Sequence, residues 1–343
     1  MNRSKIRLRF ANGLRFEEFV NDVLWVVRDI FDFIEHSDAE FLVFGPYGPP
    51  PPPGAYTRIG YFCENIEPNM DICDWGFGVP YEEDVHHPRY CRIEWHAIKP
   101  TDLIKSPEVA KQPTPKQFCN FVNSNPAEFR ESFFRALNRF KRVDAPGKSM
   151  NNRPSFDLDY PHLDQWQRKR RFLSGYKFTI AFENQSMRGY NTEKLTDPML
   201  VGSIPIYWGN PCIGRHFNTR SFINAHEYLP SRRNFVTRWL EAKSIVPYGR
   251  GETRPGRLAP RLRKLMRAMK QRFEFGFNFD RLVARIRQID GDEEAYREML
   301  QEPWLLNNTA PSIDFLRGRW SAIFGEKAQL HSCAKTLDVT TNK

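Results

Sequence analysis

Two adjacent charged residues, Glu193 and Lys194, give the clearest indication of chemistry in this chain of 343 residues. They follow Thr192, a residue type that suits the N-cap of a helix, and a polar loop that contains Gly189. Free backbone N–H groups and the positive end of the helix dipole converge at a helix N-terminus, which makes it an anion-binding site. We therefore expect an anionic ligand beside Glu193 and Lys194.

The segment of residues 176–228 supplies the elements that would position this pair. An apolar strand precedes the polar loop, and a second apolar strand, which ends in the letters YWG, follows the short helix. Strand, loop, helix and strand in this order make up half of a nucleotide-binding α/β unit. The sequence therefore predicts an α/β protein with this ligand site in its second half.

The length of the chain favours two domains, because a single core rarely serves so many residues. The sequence indicates a small α/β domain at residues 1–110. Its elements are a strand at residues 5–10, an amphipathic helix with apolar residues spaced from Phe16 to Phe31, and three further strands. Prolines at 107, 113 and 115 mark its end. We assign residues 115–325 to a second domain, which begins with a strand and a helix, and residues 326–343 to a frayed tail.

The six cysteines are irregularly spaced and include no CxxC pair, which favours reduced thiols and argues against a structural zinc site. No stretch approaches the roughly 18 consecutive apolar residues of a membrane-spanning helix. The N-terminus has basic residues but no apolar segment behind them, so it does not resemble a secretory signal. These features predict a soluble, cytoplasmic protein.

The net charge of +10 is concentrated in one segment. Residues 231–275 contain thirteen Lys/Arg and three Asp/Glu, so the rest of the chain is neutral, unlike a uniformly basic nucleic-acid binder. Apolar residues in this segment fall on one helical face, namely Leu258, Leu262, Leu265, Met266, Met269 and Phe273. Two interpretations stay open: a basic amphipathic helix that lies on an anionic membrane, or a surface insertion whose apolar stripe packs on the second domain.

Three stretches of sequence carry a resemblance to a known family. They are FENQ…GYNTEKLTD…GSIPIYWGNPCIGRHFNTRSFIN at residues 182–224, CENIEPN at residues 63–69, and FCNFVNSNPAEFRESFFRAL at residues 118–137. With these motifs the chain resembles the α-1,3/4-fucosyltransferases, inverting enzymes that use GDP-fucose. The resemblance implies the GT-B architecture, two Rossmann-like domains that face each other across a cleft. It also implies that the first domain receives the acceptor and the second binds GDP-fucose. Residues 229–276 are an insertion relative to that pattern.

The resemblance also implies roles for individual residues. Glu64 matches the general base, which takes a proton from the acceptor hydroxyl. Arg130 and Lys194 match the cations that bind the diphosphate, and Glu193 matches an acid that accepts hydrogen bonds from the ribose. Asn184 and Tyr190 match positions that line the nucleotide pocket. Glu183 is either a second catalytic carboxylate or a buried structural acid, and we favour the structural role.

A metal requirement is not indicated. The letters DLD at residues 157–159 have the DxD form that many glycosyltransferases use to hold Mn²⁺, but they lie outside the matching motifs. Cations and helix ends can hold the diphosphate instead, so we expect no essential metal and no cofactor beyond the donor substrate.

The predicted activity is the transfer of fucose from GDP-fucose to a hydroxyl of a GlcNAc- or Glc-containing oligosaccharide, as a free sugar or a glycolipid, with the 3-OH favoured. Two alternatives remain. One is a GT-B transferase that uses another nucleotide sugar. The other is an inactive fold kept as a basic module that binds membranes or nucleic acid through residues 231–275, in which case the site residues would have no catalytic role.

Overall fold

Two parallel β-sheets organise the protein, as shown by a computed structural model that describes residues 3–107, 116–244 and 258–325. The described residues separate into two units. The N-terminal unit contains residues 3–99 and 311–325, and the C-terminal unit contains the described residues between 100 and 310. Helices accompany both sheets, so the α/β class predicted from the sequence is confirmed.

The N-terminal sheet has the strand order β2-β1-β3-β4-β5-β6. The strands are β1 (Ser4–Ala11), β2 (Phe31–Glu35), β3 (Phe41–Phe44), β4 (Thr57–Phe62), β5 (Trp75–Gly78) and β6 (Tyr90–Arg92), and every neighbouring pair is parallel. Because β1 has β2 on one side and β3 on the other, the chain reverses its direction across the sheet between β1 and β3. Such a reversal is the topological switch point at which open α/β sheets bind ligands.

The first helix is shorter than the apolar spacing predicted. The helix α1 covers Phe16–Asp22, a 3₁₀ turn follows at Leu24–Val27, and Phe31 opens the strand β2. The turn buries its apolar residues in the same core as α1, so the helical spacing of apolar residues continues although the helix has ended. A second short helix, α2, covers Glu82–Val85.

The C-terminal sheet has the strand order β11-β10-β9-β7-β8 and repeats the same reversal, here between β7 and β9. Its strands are β7 (Gln117–Asn120), β8 (Val143–Asp144), β9 (Tyr176–Phe182), β10 (Ile204–Trp208) and β11 (Ile223–Asn224). The helices of this unit are α3 (Glu128–Phe140), α4 (Gln165–Leu173), α5 (Glu193–Leu200), α6 (Phe235–Ser244), α7 (Leu258–Phe275), α8 (Asp280–Gly291) and α9 (Glu293–Gln301).

Aromatic side chains fix α3 against this sheet. The Phe133 ring stacks on Phe182 with centroids 4.6 Å apart, and Phe129 packs 4.5 Å from Trp208. All four rings are fully buried or nearly so, and each buried aromatic of this size contributes roughly 3–5 kcal/mol by comparison with alanine. The first turn of α3 is therefore held rigidly beside the carboxyl ends of β9 and β10, where the candidate site lies.

The domain boundaries differ from those predicted. The division lies at residues 99 and 100, and the helix α10 at residues 314–325 belongs to the N-terminal unit, although the sequence assignment placed it in the second domain. The fully buried Trp320 explains the difference, because it stacks on Phe77 of β5 with ring centroids 3.9 Å apart. The predicted tail at residues 326–343 and residues 245–257 of the predicted insertion lie outside the described residues.

We expect Trp320→Ala to lower the free energy of unfolding of the N-terminal unit by roughly 3–5 kcal/mol, because it leaves a large cavity against Phe77 and Phe324. Phe315→Ala is the matched control on the same helix, since Phe315 is 59% exposed. Urea unfolding followed by tryptophan fluorescence and far-UV circular dichroism measures both variants. Equal, small losses for the two would show that α10 does not stabilise this unit.

Candidate active site

The C-terminal unit has a cavity of about 790 Å³ at the edge of the sheet where β7, β8 and β9 end. The loops after these strands line it together with the N-terminal parts of α3, α4 and α5. The cavity thus lies at the switch point of this sheet, the place at which ligands bind in α/β folds. Four residues proposed from the sequence as donor ligands line it, namely Arg130, Asn184, Glu193 and Lys194.

The start of α5 is tied to the end of β9 by a buried acid. Thr192 caps α5, since its hydroxyl oxygen accepts a hydrogen bond from the backbone N–H of Lys194 at 3.3 Å. Thr192 donates to Glu183 from its backbone N–H at 2.8 Å and from its hydroxyl at 2.9 Å. Glu183 directly follows β9 and is fully buried. These contacts support the structural role for Glu183 that we favoured.

The carboxylates and ammonium groups of this region determine one another's ionisation. Burial raises the pKa of Glu183, and the Lys194 ammonium 3.4 Å away opposes that rise. Burial also disfavours ionised Glu193, but Lys194 and Lys169 outweigh it and lower the pKa of Glu193 to about 2. For Lys194, burial acts to lower the pKa, but Glu183 and Glu193 more than compensate and raise it. Glu193 and Lys194 are therefore both charged at neutral pH.

Arg130 brings a second cation to the cavity from the first turn of α3. It is 2% exposed, and burial lowers its pKa. Its guanidinium donates to the carbonyl oxygens of Asn125 at 2.7 Å and of Phe182 at 3.4 Å, neither of which is charged. Its Nε has no hydrogen-bond partner among the residues that the structure describes. A buried cation in this state is stabilised by an anion that enters the cavity.

Asn184 and Tyr190 have different surroundings. Asn184 follows Glu183 in the chain, is half-buried and lines the cavity. Tyr190 is 3% exposed and is absent from the lining of this cavity, and its backbone carbonyl lies 3.4 Å from the hydroxyl of Tyr207. Tyr190 is therefore buried and does not line this cavity, and its role as a pocket residue stays a prediction.

Sequence reasoning missed Trp166 and Lys169, which line the cavity from α4. Lys169 contacts Glu193 at 3.2 Å and the buried Asp197 at 2.8 Å, so it belongs to the same charge network as Lys194. The capping box formed by Asp164 and Gln167 could have located this helix from the sequence. No local pattern, however, connects α4 with a helix that starts about twenty residues later.

The DxD segment at residues 157–159 has one member at the cavity. Asp157 lines it, accepts a hydrogen bond from the Ser155 hydroxyl at 2.7 Å and lies 3.8 Å from Arg168. Across the described ranges, no group of three or more His, Cys, Asp or Glu residues is arranged to hold a metal ion. The residues that face the cavity are instead mainly cations and amides, which suit an anionic ligand.

The N-terminal unit has its own cavity of about 480 Å³, and Glu64 lines it. Glu64 lies two residues beyond the end of β4 and is half-buried. The loops after β1 and β3 contribute Asn12, Leu14 and Tyr47, so this cavity also lies at the switch point of its sheet. A carboxylate in that position is placed to contact a ligand.

Other ionisable groups share the cavity of Glu64. The hydroxyl of Tyr61 and Nδ1 of His96 form a short hydrogen bond. Burial raises the pKa of Asp22, an effect that His96 counteracts. Burial likewise raises the pKa of the Cys63 thiol far above its ordinary value, so this thiol stays protonated. The five cysteines in the described part of the chain are not joined in disulfides. The cavity therefore offers carboxylates and aromatic rings, which are common partners of sugar hydroxyls and sugar faces.

Comparison with known proteins agrees with this geometry. Residues 112–241 match the family described as glycosyltransferase family 10 (fucosyltransferase) C-term. The α-(1,3)-fucosyltransferase FucT of Helicobacter pylori is 30% identical over 258 residues, which are 62% of this chain and 51% of that protein. The GDP-fucose protein O-fucosyltransferase 3 of Xenopus laevis is 28% identical over 168 residues, 44% of this chain and 31% of that protein. The chain thus spans 51% and 31% of the lengths of these two relatives.

Solved structures are similar over nearly the whole chain. An α1,3-fucosyltransferase with GDP-fucose matches with a TM-score of 0.63 and 21% identity, covering 94% of this chain and 91% of that one. The same kind of enzyme with GDP matches with a TM-score of 0.59 and 22% identity, over 88% of this chain and 82% of that one. At such identity the likeness establishes the fold, and the predicted GT-B class is confirmed.

His226, a half-buried residue just after β11, makes the stability of the C-terminal unit sensitive to pH. Burial lowers the pKa of its imidazole to about 4, whereas its Nε2 lies 3.2 Å from the carbonyl oxygen of Gly209, which opposes the shift. The ring stacks on Trp208, with centroids 6.0 Å apart. Because the folded pKa lies below the ordinary value of about 6.5, the unfolded chain binds a proton that the folded protein excludes between those pH values.

We expect the free energy of unfolding to fall by up to roughly 3 kcal/mol as the pH decreases from about 6.5 to 4, and His226→Gln to remove this part of the pH dependence. Urea unfolding at several pH values measures it. The exposed His162 provides the control, because His162→Gln should leave the wild-type slope intact. An unchanged slope in His226→Gln would contradict the assignment.

Proposed function

We propose that this chain, whose residues 112–241 match the C-terminal model of glycosyltransferase family 10, transfers L-fucose from GDP-fucose to a sugar hydroxyl. The acceptor we infer is a GlcNAc- or Glc-containing oligosaccharide, with the 3-OH favoured. The observation that carries the proposal is the buried Arg130 at a switch-point cavity, because its hydrogen-bond partners among the described residues are neutral carbonyl oxygens. A nucleoside diphosphate would place an anion in direct contact with this guanidinium.

The donor site uses the two cations and the ionised acid of the C-terminal cavity. Arg130 presents a planar fork and Lys194 a point charge to the oxygens of the diphosphate. Both stabilise the negative charge that builds up on GDP as the bond to fucose breaks. Glu193, ionised because Lys194 and Lys169 lower its pKa, accepts hydrogen bonds from the ribose hydroxyls. Asn184 adds an amide at the same edge.

The acceptor site we propose is the cavity of the N-terminal unit. The acceptor hydroxyl attacks the anomeric carbon of fucose while the bond to the GDP oxygen breaks, so the configuration at that carbon inverts. Glu64 takes the hydroxyl proton in this step and acts as the general base. Tyr47, which is 67% exposed and lines the same cavity, offers an aromatic face for a sugar ring.

No divalent metal is needed in this scheme, because Arg130, Lys194 and the N-terminus of α5 together supply positive charge to the diphosphate. The alternative of an inactive basic module is disfavoured by the charge network around Glu193. Arg130 is buried and its guanidinium donates to neutral carbonyl oxygens, an arrangement that a bound anion stabilises.

Turnover experiments decide between donors. GDP-fucose, GDP-mannose and UDP-sugars are each offered with LacNAc, lactose and type-1 chains, and release of the nucleotide is measured with and without EDTA. We expect that, of these donors, only GDP-fucose releases its nucleotide, and that EDTA does not change the rate of release. Release from another donor would reassign the substrate, and no release with any pair would contradict the proposal.

For the general base we expect Glu64→Gln to reduce the rate of fucose transfer by roughly 100-fold to 10,000-fold, because the amide cannot accept the proton. Binding of GDP-fucose, measured by the rise in melting temperature, should stay at the wild-type level. Glu67→Gln, a change at an exposed acid three residues along the chain, is the matched control. Wild-type turnover in Glu64→Gln would eliminate Glu64 as the base.

For the diphosphate we expect Arg130→Lys to weaken GDP and GDP-fucose binding by about tenfold or more, since Lys keeps the charge but loses the planar fork. Isothermal titration calorimetry with GDP measures the change. Arg135→Lys is the control, because Arg135 lies on the same helix and is exposed. If both variants bind GDP as tightly as the wild type, Arg130 does not contact the diphosphate.

A further inference from the structure

The helices α6 and α7, here called the basic hairpin, expose their apolar residues. On α6 the exposed apolar residues are Phe235, Val236 and Trp239, and on α7 they are Leu262, Leu265, Met269 and Phe273. Phe235 is 82% exposed and Phe273 is 54% exposed. Their spacing places each set on a single stripe of its helix. The basic hairpin therefore has a continuous apolar stripe on each helix that its own unit leaves uncovered.

The inward side of α7 carries charge instead. Lys270 and Glu274 are both nearly fully buried and lie 3.6 Å apart, and Arg233 lies 3.4 Å from the same Glu274. Phe275, at the end of α7, enters the core beside Phe129. The interpretation in which the apolar stripe of α7 packs on the second domain is therefore wrong. A helix that buries an ion pair and exposes leucine and phenylalanine is arranged for a partner outside the unit.

The charge of this region identifies the kind of partner. The excess of ten positive charges in residues 231–275 equals the net charge of the whole chain. Arg232, Arg233 and Arg238 at α6 and Arg272 at α7 are exposed. A partner must therefore offer negative charge together with apolar volume. A second copy of this chain would bring two strongly positive surfaces together, and nucleic acid would leave the phenylalanine and leucine side chains in water.

We propose that the basic hairpin docks on the surface of a lipid bilayer that contains anionic lipids. The aromatic and aliphatic side chains enter the boundary between headgroups and acyl chains, and the arginines remain among the negatively charged headgroups. None of the helices in the part of the chain that the structure describes is long and apolar enough to cross a membrane. The contact that we propose is peripheral, because the basic hairpin lies along the surface of the bilayer. It does not depend on the proposed transferase activity.

Vesicle sedimentation with the full chain tests the proposal. The vesicles contain either phosphatidylcholine alone or phosphatidylcholine with about 30 mol% phosphatidylserine, at low salt and at about 0.5 M salt. We expect binding to the anionic vesicles at low salt, and little binding to the neutral vesicles or at high salt. Binding that is equal on both vesicle types, or absent from both, overturns the proposal.

Two sets of substitutions separate the apolar and the charged contributions. The apolar variant combines Phe235→Ser, Leu265→Ser and Phe273→Ser, and we expect it to bind anionic vesicles at least tenfold more weakly. The charge variant combines Arg232→Gln and Arg238→Gln, and we expect binding to weaken roughly fivefold for each arginine removed. The matched control is Leu306→Ser with Phe315→Ser, two apolar residues that are exposed elsewhere on the protein. All of these side chains are exposed, so folding should be retained, and circular dichroism checks it.

Two outcomes count against the membrane partner. If the control weakens binding as much as the variants of the basic hairpin, the contact is nonspecific. The second outcome is a wild-type dimer and a monomeric apolar variant by light scattering, with no vesicle binding by either. In that case the apolar stripe of the basic hairpin is an interface between two copies of this chain. GDP binding by each variant is measured in parallel, so that loss of the donor site is recognised separately from loss of docking.

Discussion

The hydrogen bonds from Thr192 to Glu183 are the contacts on which the arrangement of the C-terminal cavity depends. A typical hydrogen bond contributes roughly 0.5–1.5 kcal/mol, and these bonds together hold the loop between β9 and α5 in one arrangement. The backbone around the acid permits no extra atom, because a Cβ on Gly209 would lie 2.5 Å from Cγ of Glu183. Lys194 then holds its charge because Glu183 lies beneath it.

The two units use the same topology for different chemistry. In each sheet the first strand lies between the second and the third strands of the chain. The loop after the first strand and the loop after the third strand therefore lead in opposite directions, which leaves a cavity between them. The cavity of the C-terminal unit is lined by Arg130, Lys169 and Lys194 and suits an anion. The cavity of the N-terminal unit is lined by Glu18, Asp22 and Glu64 and suits hydroxyl groups. The topology positions both sites, and the residues after the strands decide their ligands.

The parts of the fold that could be predicted from the sequence are those with local rules. The start of α5 follows from the capping preference of Thr192, and β9 and β10 follow from continuous apolar runs between polar loops. Arg130 was identified because its motif matches a family pattern. Lys169 was missed because its contact with Glu193 joins two helices that no local spacing relates.

The structure also differs from the sequence predictions where one pattern of apolar residues is compatible with two structures. The apolar spacing from Phe16 to Phe31 fits a long helix, but a helix, a 3₁₀ turn and a strand bury the same residues. The amphipathic pattern of α7 indicated an apolar face and could not show that this face points away from the unit. Amphipathicity identifies which residues share a side of a helix, and tertiary contacts decide which side is buried.

The position of α10 bears on how the protein is made. Its Trp320 and Phe324 complete the core of the N-terminal unit, so residues 3–99 lack part of their apolar interior until residues 314–325 have left the ribosome. Domains synthesised first usually fold first, yet here the C-terminal unit has all of its described strands and helices before the N-terminal unit does. The unit whose synthesis begins first is thus the last to have all of its core residues available.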